Sequence, residues 1–244
     1  MTTITSSHNP RLKELRKLAR RRERERSGRF LAEGEDLIAA AIAAGRPALA
    51  GYRAAGTTIG GVGFEDVEES VMADLSTLGS GTRAIGVYEQ RFTKPVGPLC
   101  IYLHGVGDPG NVGAVLRSAL AFGASCVALG PDCADPHSPK AVRAGMGAIF
   151  AVALARVGDV SELPGEKIAL VAREGEPISA VAQGVKPALT LLVGAEREGL
   201  PADVVRACER VAHIPIASES LNAAMAATVA LYEMSRSSTR VPTS

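Results

Sequence analysis

Tryptophan is absent, and aromatic residues of every kind make up only 4% of the 244-residue chain. The core must then be built from Ala, Val, Leu and Ile, and a base-stacking platform of the kind used by single-strand binders is not expected. Cysteines are few: Cys100, Cys126, Cys133 and Cys208, with no CxxC pair. The four histidines, His8, His104, His137 and His213, are far apart in sequence. Neither set has zinc-site spacing or resembles a disulfide framework, so no metal is expected and the thiols read as reduced residues of a cytoplasmic protein. No run reaches the roughly 18 apolar residues of a membrane span. The opening MTTITSSHNP lacks the apolar core of a signal peptide.

What is present is a globular composition, with 46% hydrophobic and 22% charged residues. The length suits one large domain or two small ones. The net charge of +1 hides an asymmetry: from Arg11 to Arg29 ten Lys or Arg face three Glu, a net of +7, which leaves −6 for the rest. A stretch such as RRERER can be a solvated face that pairs its own charges at i,i+3 and i,i+4. The excess is larger than pairing needs, and it points to a polyanion such as nucleic acid.

Asn9-Pro10 opens a helix that the leucine spacing carries through RLKELRKLARRRERER to Ser27-Gly28. RFLAEG reads as a short strand or turn, and EDLIAAAIAAG as a helix stopped by Gly45. A strand is expected near Leu49–Tyr52. AGTTIGGVGFEDVEES reads as a loop leading into a helix near Ser70–Leu78, and AIGVYEQ as a strand. QRFTKPVGP, Gln90 to Pro98, has two prolines, a glycine and no period, and reads as a linker.

Beyond it, short apolar runs begin at Leu99, Ser125, Ala151, Ile168, Leu189 and Val211. Helical segments lie between several of them: Asn111–Phe122, Ser138–Gly147, Ala202–Glu209 and Leu221–Ser235. Apolar strands alternating with helices predict a parallel sheet covered on both faces. Ligands then bind where loops leave the carboxyl ends of the strands, and three such loops stand out.

GVGDPGNVG runs into a helix N-terminus, a potential anion site, with Asn111 as its expected N-cap. In that helix Arg117 sits about 100° from Leu116, on the flank of the apolar stripe. It either snorkels there or meets a ligand beside Gly113. GAEREG is a charged turn between glycines, either merely solvated or a tight backbone path shared with a bound molecule. In IASESLN, Ser218 or Ser220 can cap the last helix.

The stretches DPGNVGAVLRSALAFGA, LLVGAEREGLP and IPIASESLNAAMAA occur in this order with about the spacing of the SpoU–TrmH family, which the chain resembles. Members are S-adenosylmethionine-dependent RNA ribose 2′-O-methyltransferases. PKAVRAGMGAIF is similar to the family's connecting segment, and HNPRLKEL with RFLAEGEDLIAAA resembles the substrate-binding domain that many members carry in front. The resemblance implies an α/β chain with an RNA substrate-binding domain over residues 1–94 and a methyltransferase domain over 95–244. The latter would be a parallel sheet with a deep trefoil knot, an exception to the rule against knots. A homodimer with the active site near its interface is implied too.

By motif, Asn111, Arg117, Glu196, Ser220 and Asn222 would be the catalytic set. Gly194, Glu196, Gly199, Ile214, Ile216, Ser220 and Leu221 would hold the cofactor. Arg117 would stabilise the developing oxyanion and hold the adjacent phosphate, or act as the general base that the family's arginine is often described to be. An arginine pKa above about 12 makes the second role costly. Asn9, Arg11, Lys13, Arg16, Arg20, Arg21, Arg22 and Arg29 would meet RNA phosphates, with folded RNA read by backbone and shape. Ribosomal RNA is preferred over transfer RNA.

Two departures from the family pattern stand out. Only Ile216, Ala217, Ser218 and Glu219 separate Pro215 from Ser220, a shorter loop than usual, and Ala224 replaces a hydroxyl residue. Weak cofactor binding by the free protein is therefore expected. The alternatives are a non-catalytic or RNA-conditional binder on the same scaffold, a transfer-RNA methyltransferase, and a nucleotide-binding metabolic enzyme. The last leaves the basic front segment unexplained.

Overall fold

The computed structural model describes residues 3–59, 63–76, 81–184 and 186–238. It divides into two compact units, Met1–Arg91 with Asp135–Ala151, and Phe92–Ala134 with Val152–Ser244.

In the first unit the basic segment folds as two helices, α1 (Pro10–Lys17) and α2 (Arg21–Ser27), where one continuous helix was expected. The reason is Arg24. Its guanidinium is almost fully buried and donates to the Leu18 and Ala19 carbonyls at 2.9 and 2.8 Å. Those carbonyls close α1, and helix-end carbonyls need such a donor when buried. The same side chain forms an ion pair with Asp135 at 2.7 Å, both partners buried. Leu12, Leu15 and Leu18 enter the core as their spacing requires.

β1 (Arg29–Glu33), α3 (Glu35–Ala43), β2 (Ala50–Ala54), β3 (Phe64–Val67), α4 (Glu69–Ala73) and β4 (Ala84–Glu89) follow. The sheet order is β1-β4-β2-β3, with β2 and β3 parallel and the other pairs antiparallel. β3 lies in the stretch expected to be a loop. Its charges are paired: Glu65 accepts from Arg11 of α1 at 2.6 Å and Asp66 from Arg53 of β2 at 2.8 Å. The helix expected near Ser70–Leu78 is α4; positions 77–80 lie outside the described residues. Two later helices, α6 (Pro139–Ala144) and α7 (Ala148–Ala151), also belong to this unit. Phe150 packs edge-on to Tyr88 at 4.7 Å and stacks with Phe30 at 5.9 Å, and His137 lies 4.7 Å from Phe30.

The second unit holds β5 (Leu99–Leu103), α5 (Pro109–Ala121), β6 (Cys126–Leu129), β7 (Ala153–Arg156), β8 (Glu166–Val171), β9 (Glu176–Pro177), α8 (Ile178–Val181), β10 (Leu189–Val193), α9 (Ala202–Arg206), β11 (Arg210–His213) and α10 (Ala223–Ser238). Its sheet has the order β7-β6-β5-β10-β8-β11-β9, every pair parallel. All six apolar runs are strands; the two-residue β9 adds a seventh. The central strands are buried along their length, as a sheet covered on both faces requires. The sequence-consecutive neighbours β5, β6 and β7 run outward to one side, and β10, β8 and β11 lie on the other. The order therefore reverses at β5/β10, and in such sheets ligand sites lie beyond the carboxyl ends of the strands.

The four cysteines are free; Cys100 and Cys126 are fully buried, Cys133 and Cys208 only partly. Burial pushes the Cys208 thiol up to about 11. No helix of the described residues is long and apolar enough to cross a membrane. Among the described residues no group of three or more His, Cys, Asp or Glu is placed to hold a metal ion.

Candidate active site

The loop after β5 turns into α5 through Asp108-Pro109. Asp108, not Asn111, is the N-cap: its carboxylate accepts from the Asn111 backbone N–H at 3.0 Å, and Pro109 takes the first helical position. This frees the Asn111 side chain, whose Nδ2 donates to Glu196 Oε1 at 2.7 Å.

Glu196 stands in the turn after β10. Gly194 opens that turn with no room to spare: a Cβ there would lie 2.1 Å from the Gly199 carbonyl carbon. Gly199 takes a left-handed φ of +67° and its N–H returns to the Ala195 carbonyl at 3.0 Å. The two glycines are thus required by close approach and by backbone sign, respectively.

The third loop also corrects the expected cap. Neither Ser218 nor Ser220 caps α10; Asn222 does, its Oδ1 accepting from the Ala224 and Met225 N–H groups at 2.9 and 3.3 Å. Its Nδ2 donates to Asn111 Oδ1 at 3.1 Å and also to Glu196 Oε1. Three of the five expected catalytic residues therefore form one hydrogen-bonded cluster, with the Glu196 carboxylate held by two side-chain amides.

Beside the cluster is a cavity of about 480 Å³. Gly194, Glu196, Gly199, Ile214, Ile216, Ser220 and Leu221 all line it, together with Leu170, Val171, Val193 and Leu200. The sequence reading missed the β8 end, Leu170 to Ala172, and the charged rim of Arg197, Glu198 and Glu219. The parallel register that sets Leu170 level with Val193 and Ala212 carries the β8 signal, and it appears only once the strand order is known.

Arg117 is exposed on α5, and among the described residues it has no hydrogen-bond or ion-pair partner. It does not line the cavity. Six residues of helix place it about 9 Å along the axis from Asn111 and about 120° around it. Close to it is an apolar surface: Leu120 on α5, and Met225, Val229 and Tyr232 on α10, are all exposed. The two helices pack together, with the Ser118 and Thr228 hydroxyls 2.6 Å apart and the Phe122 and Tyr232 rings 5.8 Å apart.

Of the residues expected to meet RNA, Asn9 caps α1, Arg11 pairs with Glu65, Arg16 donates to the Ser7 carbonyl, and Arg21 pairs with Glu25. The Glu25 hydrogen bond holds the Arg21 pKa above its ordinary value. Lys13, Arg20, Arg22 and Arg29 are exposed and, among the described residues, unpaired.

Comparison with known proteins places the chain in a family. Residues 98–232 match the SpoU rRNA Methylase family, and residues 9–85 match the MRM3-like substrate binding domain. An uncharacterised tRNA/rRNA methyltransferase of Synechocystis sp. is 30% identical over 97% of this chain and 94% of its own. The 23S rRNA (guanosine(2553)-2′-O)-methyltransferase RlmP of Bacillus subtilis is 26% identical over 96% of this chain and 99% of its own. The crystal structure of an AdoMet-bound rRNA methyltransferase from Sinorhizobium meliloti superposes with a TM-score of 0.85 at 29% identity, covering 96% of this chain and 97% of that one. The chain belongs to the SpoU rRNA methylase family.

Proposed function

We propose that this protein transfers a methyl group from S-adenosylmethionine to the 2′-oxygen of a ribose in folded RNA, ribosomal rather than transfer RNA. The observation that carries the reading is the Asn111–Glu196–Asn222 cluster at the edge of a glycine-walled cavity. The names of the Bacillus and Sinorhizobium proteins support ribosomal RNA.

The cavity fits the donor. Its volume of about 480 Å³ lies within the roughly 300–1,000 Å³ of small-molecule sites. Leu170, Val193, Ile214, Ile216 and Leu221 offer apolar walls for an adenosine, and Gly194 and Gly199 let a ligand lie against bare backbone. Gly194, Gly199, Ile214, Ile216, Ser220 and Leu221 would hold it. When bound, S-adenosylmethionine supplies an electrophilic methyl on a positively charged sulfur.

The chain's own residues do the rest. Glu196, fixed by two amides, orients Asn111 and Asn222 at the cavity edge, and Ser220 lines the wall beside them. Arg117, free and always charged, holds the phosphate next to the target ribose and stabilises the 2′-oxyanion as it forms. The nucleotide bridges the gap between the guanidinium and the cluster. A second copy of the chain covers Leu120, Met225, Val229 and Tyr232, exposed apolar side chains on two packed helices. Covering it excludes water around Arg117 and strengthens its field.

Lys13, Arg20, Arg22 and Arg29 supply the phosphate contacts of the front domain. Arg11, Arg16 and Arg21 join them only by giving up internal partners. The functional division falls at 1–94 and 95–244, and a trefoil knot in the second part is included in the reading. The test is to incubate the whole chain with labelled donor and total RNA and then hydrolyse the RNA in alkali. Label in alkali-resistant dinucleotides supports ribose methylation; RNA that is bound but unlabelled supports the non-catalytic alternative.

A further inference from the structure

The rim of the cavity carries charge that the methyl-transfer reading leaves unused. Arg197, Glu198 and Glu219 all line it and all are exposed. Among the described residues none of the three makes an ion pair or side-chain hydrogen bond, whereas the Oε1 of their neighbour Glu196 accepts from both Asn111 and Asn222. Arg197 and Glu198 are rooted in a rigid turn, closed by the Ala195–Gly199 bridge and the bare Gly194 contact.

One free guanidinium and two free carboxylates mirror the charges of the donor. S-adenosylmethionine bears one carboxylate and two cationic centres, an ammonium and a sulfonium. Its demethylated product, S-adenosylhomocysteine, keeps the carboxylate and ammonium and loses the sulfonium charge. We propose that Arg197 binds the carboxylate of the donor's amino-acid end, and that Glu198 and Glu219 make the rim prefer the charged donor over the spent product. An RNA phosphate is the other anion that could meet Arg197, but it brings no cation for Glu198 and Glu219, whereas the donor carries an ammonium and a sulfonium beside its carboxylate. The inference rests on the donor reading of the cavity.

The test is calorimetric titration of the full-length chain with S-adenosylmethionine, decarboxylated S-adenosylmethionine and S-adenosylhomocysteine. Arg197→Ala should weaken the two carboxylate-bearing ligands about fivefold and leave the decarboxylated one unchanged. Arg197→Lys should retain most of the affinity. The double variant Glu198→Gln/Glu219→Gln should lower the preference for donor over product by about fivefold. The proposal is overturned if Arg197→Ala weakens all three ligands alike, weakens none, or reduces only RNA binding. Failure of the unaltered protein to bind any of the three, with RNA present or absent, removes the donor reading itself and is distinct from these outcomes.

Discussion

Asn222 Nδ2 lies 3.1 Å from Asn111 Oδ1, joining the start of the last helix to the first turn of α5, 111 positions earlier in the chain. The same amide caps α10 through its oxygen. One residue thus caps a helix and, in the proposed function, also serves catalysis, and substitution separates the two. Asn222→Ala loses both and should cost about 1–2 kcal/mol of stability along with methylation. Asn222→Asp keeps the capping oxygen but sets a carboxylate against Glu196. It should melt closer to the unaltered protein than the alanine variant does and still fail to methylate. Equal activity of Asn222→Asp and the unaltered chain would show that the amide donors are dispensable.

Arg117 should matter for rate and little for donor binding. It is outside the cavity wall, and its proposed contacts are with RNA. Arg117→Ala should lower turnover by roughly 10²–10³-fold, the effect of removing one oxyanion donor. The donor dissociation constant from calorimetry should stay unchanged. Wild-type turnover in this variant would refute the assignment.

Gly194→Ala tests the rigid turn. The added methyl meets Gly199 and Leu200 backbone at 2.1–2.3 Å, so strand end and turn must separate. A loss of about 1–3 kcal/mol in denaturant unfolding is expected, with donor binding lost too.

Two arginines only two positions apart should behave oppositely. Arg24 is buried against Asp135, and Arg24→Ala, which leaves that carboxylate unpaired, should cost about 3–5 kcal/mol. Arg22 is exposed and, among the described residues, unpaired. Arg22→Ala should leave the melting temperature unchanged and weaken RNA binding. The slope of log affinity against log salt should fall by about 0.7–0.9.

Tyr232 stands in the exposed apolar face of α10. If a second copy covers that face, Tyr232→Glu should shift the protein from dimer to monomer in sedimentation and reduce methylation. A variant that stays dimeric would place the interface elsewhere.

The strands of the second unit were legible because a sheet buried on both faces demands continuous apolar runs, and Leu189–Val193 and Cys126–Leu129 are such runs. The caps were not. Asp108, Asn111, Ser218, Ser220 and Asn222 are all residue types that can cap, and tertiary partners decide: Glu196 draws the side chain of Asn111 away from its own helix end. The break between α1 and α2 was hidden for a similar reason. In RRERER every arginine looks solvated, yet Arg24 alone is buried by an aspartate 111 positions away. β3 escaped because FEDV alternates poorly, its acids being paired with Arg11 and Arg53. The cavity was half legible: its glycines and SLN turn lie in loops, whereas the β8 wall depends on strand order.

The central claim is that this cavity holds the donor while Arg117 serves a ribose oxygen. It is tested most directly by methyl transfer from labelled S-adenosylmethionine to ribosomal RNA, comparing the unaltered chain with Arg117→Ala. The account predicts label on a ribose 2′-oxygen with the first protein and almost none with the second, at equal donor binding. Label on a base, or equal labelling by both proteins, would contradict it.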